Sequence, residues 1–121
     1  MVRIFRYPLG RWSWEAMKGH VEPREDTRVA AIQELREESG FSVKPERLVD
    51  LGAVAPEAGV IRGRTHLYEV EVSNLDQGDV KGELGHGAVA FFDWKEIKDL
   101  IAQGELEDAT TISLLFKHGL E

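Results

Sequence analysis

The 121-residue sequence contains no cysteine. A chain without thiols can have no disulfide framework and no thiol chemistry, and its default location is the cytoplasm. The sequence also lacks any stretch that is long and apolar enough to span a bilayer, and its first residues lack the hydrophobic segment of a signal peptide. We therefore expect no membrane partner.

Basic residues are in the minority, with 15 lysines and arginines against 22 acidic residues and a net charge of −7. Because binding to a nucleic-acid backbone requires a basic face, the composition argues against a nucleic-acid partner. It is compatible with a phosphate-bearing small molecule if a metal ion supplies the positive charge. The length suits one compact domain, which we assign to residues 1–119. Residues 120–121 (Leu-Glu) are interpreted as a vector-derived addition.

Hydrophobic periodicity and turn residues divide the chain into short strands and helices. The predicted strands cover residues 2–7, 12–17, 48–55, 65–72 and 88–93, and residues 41–43 are a further short candidate. Predicted helices begin at residues 26–27, 95 and 108–110, and Gly40 and Gly119 end the first and the last. Residues 74–87 are rich in Gly and Asp and predict a loop. Strands interspersed with helices suggest a mixed sheet between helical layers.

The first predicted helix carries an unusual set of carboxylates. Glu37 and Glu38 follow Glu34 by three and four residues, so both share a helical face with it. Like charges at this spacing repel by about 0.2–0.5 kcal/mol per pair. A hard cation such as Mg²⁺ or Mn²⁺ reverses this effect, because it prefers carboxylate oxygens and often bridges protein and substrate phosphates. A metal-assisted phosphoryl site is therefore the first hypothesis, with packing of the helix assigned to Val29, Ala30, Ile32 and Leu35.

The segment spanning residues 19–41 resembles the box of the Nudix hydrolase family. The positions of that box are filled here by Gly19, Glu25, Gln33, Glu34, Leu35, Glu37, Glu38, Gly40 and Phe41. One position departs from the family pattern, because Gln33 stands where the family carries arginine. The resemblance implies an α/β fold, a Nudix-type α/β/α sandwich with a mixed β-sheet.

The resemblance also implies a role for each carboxylate. Glu34 and Glu38 would be the main metal ligands, and Glu37 would be a third ligand or an acid that contacts the ligands without touching the metal; Glu34 and Glu37 would thus belong to the catalytic group. The backbone carbonyl near Lys18 would complete the coordination of Mg²⁺ or Mn²⁺. Glu25 would orient the ligands, and Gln33, which is neutral, would hold it less rigidly than the usual arginine fork.

The general base is expected in the late loop. Glu83, which lies in the glycine-rich run at residues 81–87, is the first candidate by resemblance. His86 is the alternative, because histidine titrates near working pH. Glycines on both sides would let this loop close over a substrate.

Features outside the box resemble ADP-ribose pyrophosphatases and related nucleotide-sugar hydrolases. These are residues 5–8 and 12–15, Pro56, and the turn and helix at residues 104–111. The reaction implied is cleavage of a nucleoside diphosphate linked to another moiety into a nucleoside monophosphate and a second phosphate. The substrate contacts implied are Arg6 for a phosphate, Trp12 or Trp14 for a base, and Glu57, Arg62, Arg64 and His66 for the far end.

The sequence leaves two alternative functions open, and it also predicts an oligomeric state. Residues 18–22 are similar to the entrance of dinucleoside polyphosphate and diphosphoinositol polyphosphate hydrolases, where Lys18 would contact a polyphosphate. Gln33 is compatible with a non-catalytic module that only binds a nucleotide. Because 18 residues precede Gly19, we expect an open sheet edge that a second copy covers in a homodimer.

Overall fold

The computed structural model describes residues 1–79 and 85–120, and within them the chain forms five β-strands and three α-helices. The strands are β1 Val2–Arg6, β2 Arg11–Glu15, β3 Val49–Val54, β4 Thr65–Glu69 and β5 His86–Val89. The helices are α1 Thr27–Ser39, α2 Trp94–Ala102 and α3 Ala109–Gly119. The α/β fold class expected from the sequence is confirmed. No helix in these two ranges is long and apolar enough to cross a membrane.

The strands form two sheets, and the pairs within the described residues are antiparallel. One sheet has the order β2-β1-β5 and the other pairs β3 with β4. Ile4 in β1 lies opposite both Ser13 in β2 and His86 in β5. Directly opposed residues point to the same face of a sheet, so this row crosses the three strands on one face. The buried side chains Val2 and Ile4 make this the inner face.

Helices α1 and α3 flank the β3–β4 sheet. Tyr68 in β4 shares a hydrogen bond of 2.6 Å with the hydroxyl of Thr27 in α1. The next residue, Glu69, contacts the imidazole of His118 in α3. Because consecutive residues of a strand point to opposite faces, the two helices lie on opposite sides of the sheet. This layering is consistent with the expected α/β/α sandwich.

The ends of α1 and α3 follow from local capping chemistry. The Asp26 carboxylate accepts hydrogen bonds from the amides of Arg28 and Val29 at 2.8 and 3.3 Å, which satisfies two donors that the first turn leaves open. Gly40 ends α1 with φ of 78°, a left-handed conformation that glycine adopts without cost. Asp108 caps α3 by accepting a hydrogen bond from the amide of Thr111 at 2.8 Å.

Three local expectations need correction. Strand β5 begins at His86, so the end of the expected loop at residues 74–87 is strand, because β5 pairs with β1. Residues 41–43 do not form a strand; Phe41 makes one isolated bridge with Gln77. Val29 is 52% exposed, whereas Ala30 is buried, so α1 packs through a narrower apolar stripe than its sequence indicates.

Candidate active site

The loop before α1 brings the backbone of Gly19 against the side chain of Glu34. A Cβ built on Gly19 would overlap Cγ, Cδ and Oε1 of Glu34. The space that a side chain would occupy at position 19 is therefore already filled by the glutamate. Only glycine permits this close approach of backbone and carboxylate. The expected entrance of the site and the first expected metal ligand are thus adjacent.

The last turn of α1 carries a carboxylate into the protein interior. Glu38 is 5% exposed, and the Nδ1 atom of His86 in β5 lies 3.7 Å from its Oε1. Burying a carboxylate is costly unless charged or hydrogen-bonding groups surround it. His86, the alternative base from the sequence, therefore lies directly beside an expected metal ligand.

A four-residue ion network, formed by Arg6, Glu15, Lys18 and Asp108, lies on the inner face of β1 and β2. Arg6 donates to both oxygens of Glu15, at 2.9 Å from Nε and 2.6 Å from Nη2. The Lys18 ammonium lies 2.8 Å from Glu15 and 2.8 Å from Asp108. Glu15 is 2% exposed, so its charge is compensated by two cations instead of by water.

The network shifts the pKa values of its members. Burial alone would raise the pKa of Glu15, but the hydrogen bonds from Arg6 and Lys18 outweigh burial and hold that pKa below its usual value. The same competition, between burial on one side and Lys18 and Thr111 on the other, lowers the pKa of Asp108. The hydrogen bond to Glu15 raises the pKa of Arg6, and the nearby charge of Glu38 adds to this increase. The charge of Glu38 is the smallest of these influences on Arg6, after the charges of Glu15 and Asp108.

The structure does not bring Gln33 to Glu25. Gln33 Nε2 donates to Glu37 Oε1 at 3.0 Å, one helical turn along α1. The Glu25 carboxylate instead accepts from the backbone amide of Glu22 at 2.9 Å. The physical reason is local geometry, because Glu25 precedes the N-cap while Gln33 lies on an exposed face of α1. Glu25 is therefore oriented by its own loop.

The three expected ligands supply hard carboxylate oxygens, which fit a divalent cation by donor chemistry. Within the described residues, however, no group of three or more His, Asp or Glu side chains is gathered closely enough to hold a metal ion. Metal ligation by Glu34, Glu37 and Glu38 therefore stays a prediction. Glu83, the first candidate for the base, lies outside the described residues.

The expected substrate contacts divide into two regions. The loop between β3 and β4 bounds a cavity of about 610 Å³ whose lining includes Arg62, Arg64 and His66. Glu57 is exposed at the start of this loop. A second cavity of about 360 Å³ lies against the ion network and includes Arg6 in its lining. Arg6 would therefore have to contact a phosphate while it also holds Glu15.

The two tryptophans differ in environment. Trp14 is half-buried, and its ring packs edge-on against Phe92 at 4.8 Å between centroids. Trp12 is 41% exposed and contacts Phe5 and the guanidinium of Arg3 on the outer face. Trp14 therefore contributes mainly to packing, and Trp12 is the more accessible of the two side chains.

Sequence reasoning missed the roles of Glu15 and Asp108. The signal for Glu15 was its alternation with Ser13, since both belong to the buried face of β2. An acid on a buried face requires a cation nearby. Lys18 and Arg11 are the nearest basic residues in sequence, whereas the structure pairs Glu15 with Lys18 and Arg6. Asp108 was recognised only as a cap, because nothing in the sequence links α3 to Lys18.

Comparison with known proteins supports the resemblance of the box. Residues 1–115 match the family described as NUDIX domain. The chain is 33% identical to ADP-sugar pyrophosphatase of Mus musculus over 81 residues, which are 67% of this chain and 36% of that protein. It is also 33% identical to CMP-5'-(N-acetyl-N-hydroxy-3-aminopropyl)phosphonate hydrolase of Streptomyces rubellomurinus (strain ATCC 31215) over 78 residues, 64% of this chain and 37% of that protein. The matched segments thus span little more than a third of each relative. Because the family match covers nearly the whole sequence, this chain belongs to the NUDIX domain family.

Proposed function

We propose that this chain is a pyrophosphohydrolase that depends on Mg²⁺ or Mn²⁺. Its substrate is a nucleoside diphosphate linked to another moiety, with ADP-ribose or a nucleotide sugar as the first choice. The products are a nucleoside monophosphate and a second phosphate. The observation that carries the proposal is the contact between the Gly19 backbone and Glu34, with the buried Glu38 on the same helix.

The roles of the residues follow from charge. A pyrophosphate repels an incoming nucleophile, and a bound divalent cation supplies the neutralising charge. Glu34 and Glu38 would hold this cation, and Glu37 and the Lys18 carbonyl would complete its ligands. Arg62 and Arg64, which line the cavity of about 610 Å³, would bind a terminal phosphate by charge-assisted hydrogen bonds.

The two relatives support this chemistry. One is a pyrophosphatase of ADP-sugars, and the other is a hydrolase of a CMP-linked phosphonate. In both names the reacting compound joins a nucleotide to a second group. The shared feature supports a nucleotide linked to another moiety as the substrate class.

The position of Lys18 disfavours the dinucleoside polyphosphate alternative. That reading needs a lysine available for an additional phosphate. The ammonium instead lies 2.8 Å from each of two carboxylates, Glu15 and Asp108, which already neutralise it. A phosphate would have to compete with both of them.

A homodimer in the cytoplasm completes the proposal. Strand β2 is at the edge of its sheet within the described residues. The Trp14 amide on that edge donates to the Glu105 carbonyl at 2.9 Å, and an edge that is covered only in part still favours association. Exposed apolar side chains lie near it, with Tyr7 75% and Leu9 58% exposed. Sedimentation velocity at increasing protein concentration tests this state: one species with the mass of a single chain at all concentrations would contradict it.

Product analysis of purified protein tests the function. ADP-ribose, an ADP-sugar and diadenosine tetraphosphate are each incubated with Mg²⁺ or Mn²⁺, and released nucleotides are separated by chromatography. We expect AMP from the first two compounds, with faster turnover than for the tetraphosphate. The Glu38→Gln variant should lose at least about 10²-fold in turnover, because a neutral amide no longer balances the cation.

Glu96→Gln serves as the matched control, since Glu96 belongs to the capping box of α2 on a different helix. It should keep turnover close to that of the unaltered chain. Binding of ADP-ribose without any hydrolysis, equal with and without metal, would instead establish the non-catalytic nucleotide-binding module.

A further inference from the structure

We propose that Lys18 is a positioning residue, whose ammonium fixes the Gly19 backbone against Glu34 by bridging Glu15 and Asp108. This inference rests on the proposed function, because it assigns a task to the Gly19–Glu34 contact. This role of Lys18 differs from a substrate contact, since the ammonium lies 2.8 Å from each of two protein carboxylates. Lys18 would therefore act through the backbone that it carries.

The two anchors of Lys18 come from separate elements of the fold. Glu15 is the last residue of β2, is 2% exposed, and is held by both nitrogens of the Arg6 fork. Asp108 is the N-cap of α3, where it accepts from the amide of Thr111 at 2.8 Å and from its hydroxyl at 2.6 Å. Because each carboxylate is already fixed, neither can follow Lys18 if the loop moves.

A further bond ties the same short segment to α3. The amide of Ala16 donates to the Thr111 hydroxyl at 2.9 Å, and Thr111 is fully buried. The chain is therefore held at residue 16 by its backbone and at residue 18 by its side chain. Gly19 is the next residue, one Cα–Cα step of about 3.8 Å further on. Its approach to Glu34 is thus set from β2 and α3 instead of from α1.

The charge balance explains why a lysine suits this position. Two carboxylates with lowered pKa values face it, and Arg6 alone satisfies only Glu15. Without the ammonium, Asp108 would keep its Thr111 contacts but lose its ion pair, and Glu15 would lose one of two cations. The side chains of Lys18 and Asp108 are 29% and 20% exposed, so removing the ammonium leaves a partly buried carboxylate charge that additional water must solvate. Local opening at residues 16–22 is the expected consequence.

Amide hydrogen exchange of the metal-free protein tests the inference directly. We compare the unaltered chain with Lys18→Met, which keeps the length of the side chain, and Lys18→Arg, which keeps its charge. Exchange of a peptide covering residues 16–22 should become on the order of ten-fold faster in Lys18→Met, and Lys18→Arg should restore most of the protection. Lys95→Met is the control, because Lys95 is 85% exposed and pairs with Asp99 on α2, away from the Gly19 loop.

Titration with Mn²⁺ provides the second readout. The dissociation constant should rise by roughly ten-fold in Lys18→Met, as for other residues that orient a ligand without touching the metal. If Lys18→Met does not fold, Asp108→Asn replaces it, since asparagine keeps the N-cap and removes only the ion pair. Asp108→Asn should then show the faster local exchange.

Unchanged exchange at residues 16–22, or an equal increase throughout the chain, would overturn the inference. Faster local exchange with unchanged Mn²⁺ affinity would also overturn it, since the loop would then move without consequence for the site. Failure of the proposed function has a different result. In that case the unaltered chain hydrolyses none of the nucleotides, while the local protection by Lys18 is still measured.

Discussion

Gly19→Ala is a single-methyl change that probes the geometry of the site. The new Cβ would overlap three atoms of Glu34, whereas non-bonded carbon atoms settle at about 3.5–4.0 Å. The Glu34 carboxylate, the Gly19 backbone or both must therefore move by more than about 1 Å. A displacement of that size in a catalytic arrangement costs about 10²-fold in rate, equivalent to about 2.7 kcal/mol at 1.36 kcal/mol per tenfold.

The assay is kcat/KM for release of AMP from ADP-ribose, measured together with Tm. We expect the rate of Gly19→Ala to fall by about 10²-fold while Tm changes by only a few degrees, because Glu34 is half-buried and can turn towards solvent. Gly119→Ala is the control, since a Cβ there would meet nothing within 4 Å. A rate for Gly19→Ala within three-fold of the unaltered chain would refute the reasoning, because the close approach would then have no function.

Two further predictions concern stability. The folded-state pKa values of Glu15 and Asp108 lie below the usual 4.5 and 3.8, so their stabilising effect is complete above those values and is lost as pH falls through the lowered ones. Tm should therefore be constant near neutral pH and fall below about pH 4.5. The Glu15→Gln variant should have a lower Tm at neutral pH, and its Tm should fall less steeply as the pH is lowered. Curves of Tm against pH that run parallel for the variant and the unaltered chain would contradict this. Asp26→Ala removes the N-cap of α1 and should lower the free energy of unfolding, measured with denaturant, by about 1 kcal/mol. Asp26→Asn should lower it little, because asparagine also caps helices. Equal losses in both variants would contradict the capping role.

Much of the fold was accessible from the sequence because its signals are local. The boundaries of α1 depend on Asp26 and Gly40, whose capping roles are set by neighbours within four residues. The start of strand β5 was predicted too late because the signal for that strand is not local. His86 becomes strand by pairing with Ile4, a partner at the other end of the chain, and a Gly-rich sequence gives no local indication of that ladder.

The candidate site was accessible only in part for the same physical reason. Spacing along α1 was enough to predict that Glu34 and Glu38 share a face. The same spacing places Gln33 one turn before Glu37, which is the bond the structure shows. The expected link from Gln33 to Glu25 came from the family resemblance and not from the spacing. The contact of Lys18 with Asp108 joins residues from opposite halves of the sequence, and the partner of a flexible lysine depends on the whole fold.

Paramagnetic broadening by Mn²⁺ is the most direct test of the central claim, that a divalent cation binds between the Gly19 loop and α1. Small additions of Mn²⁺ to the ¹⁵N-labelled protein broaden the amide signals nearest to the ion. The amide signals of Gly19 and of the residues around Glu34 and Glu38 should broaden first, and Glu38→Gln should remove the effect. Broadening that begins elsewhere, for example at the exposed acids of α2, or none at millimolar Mn²⁺, would contradict the account.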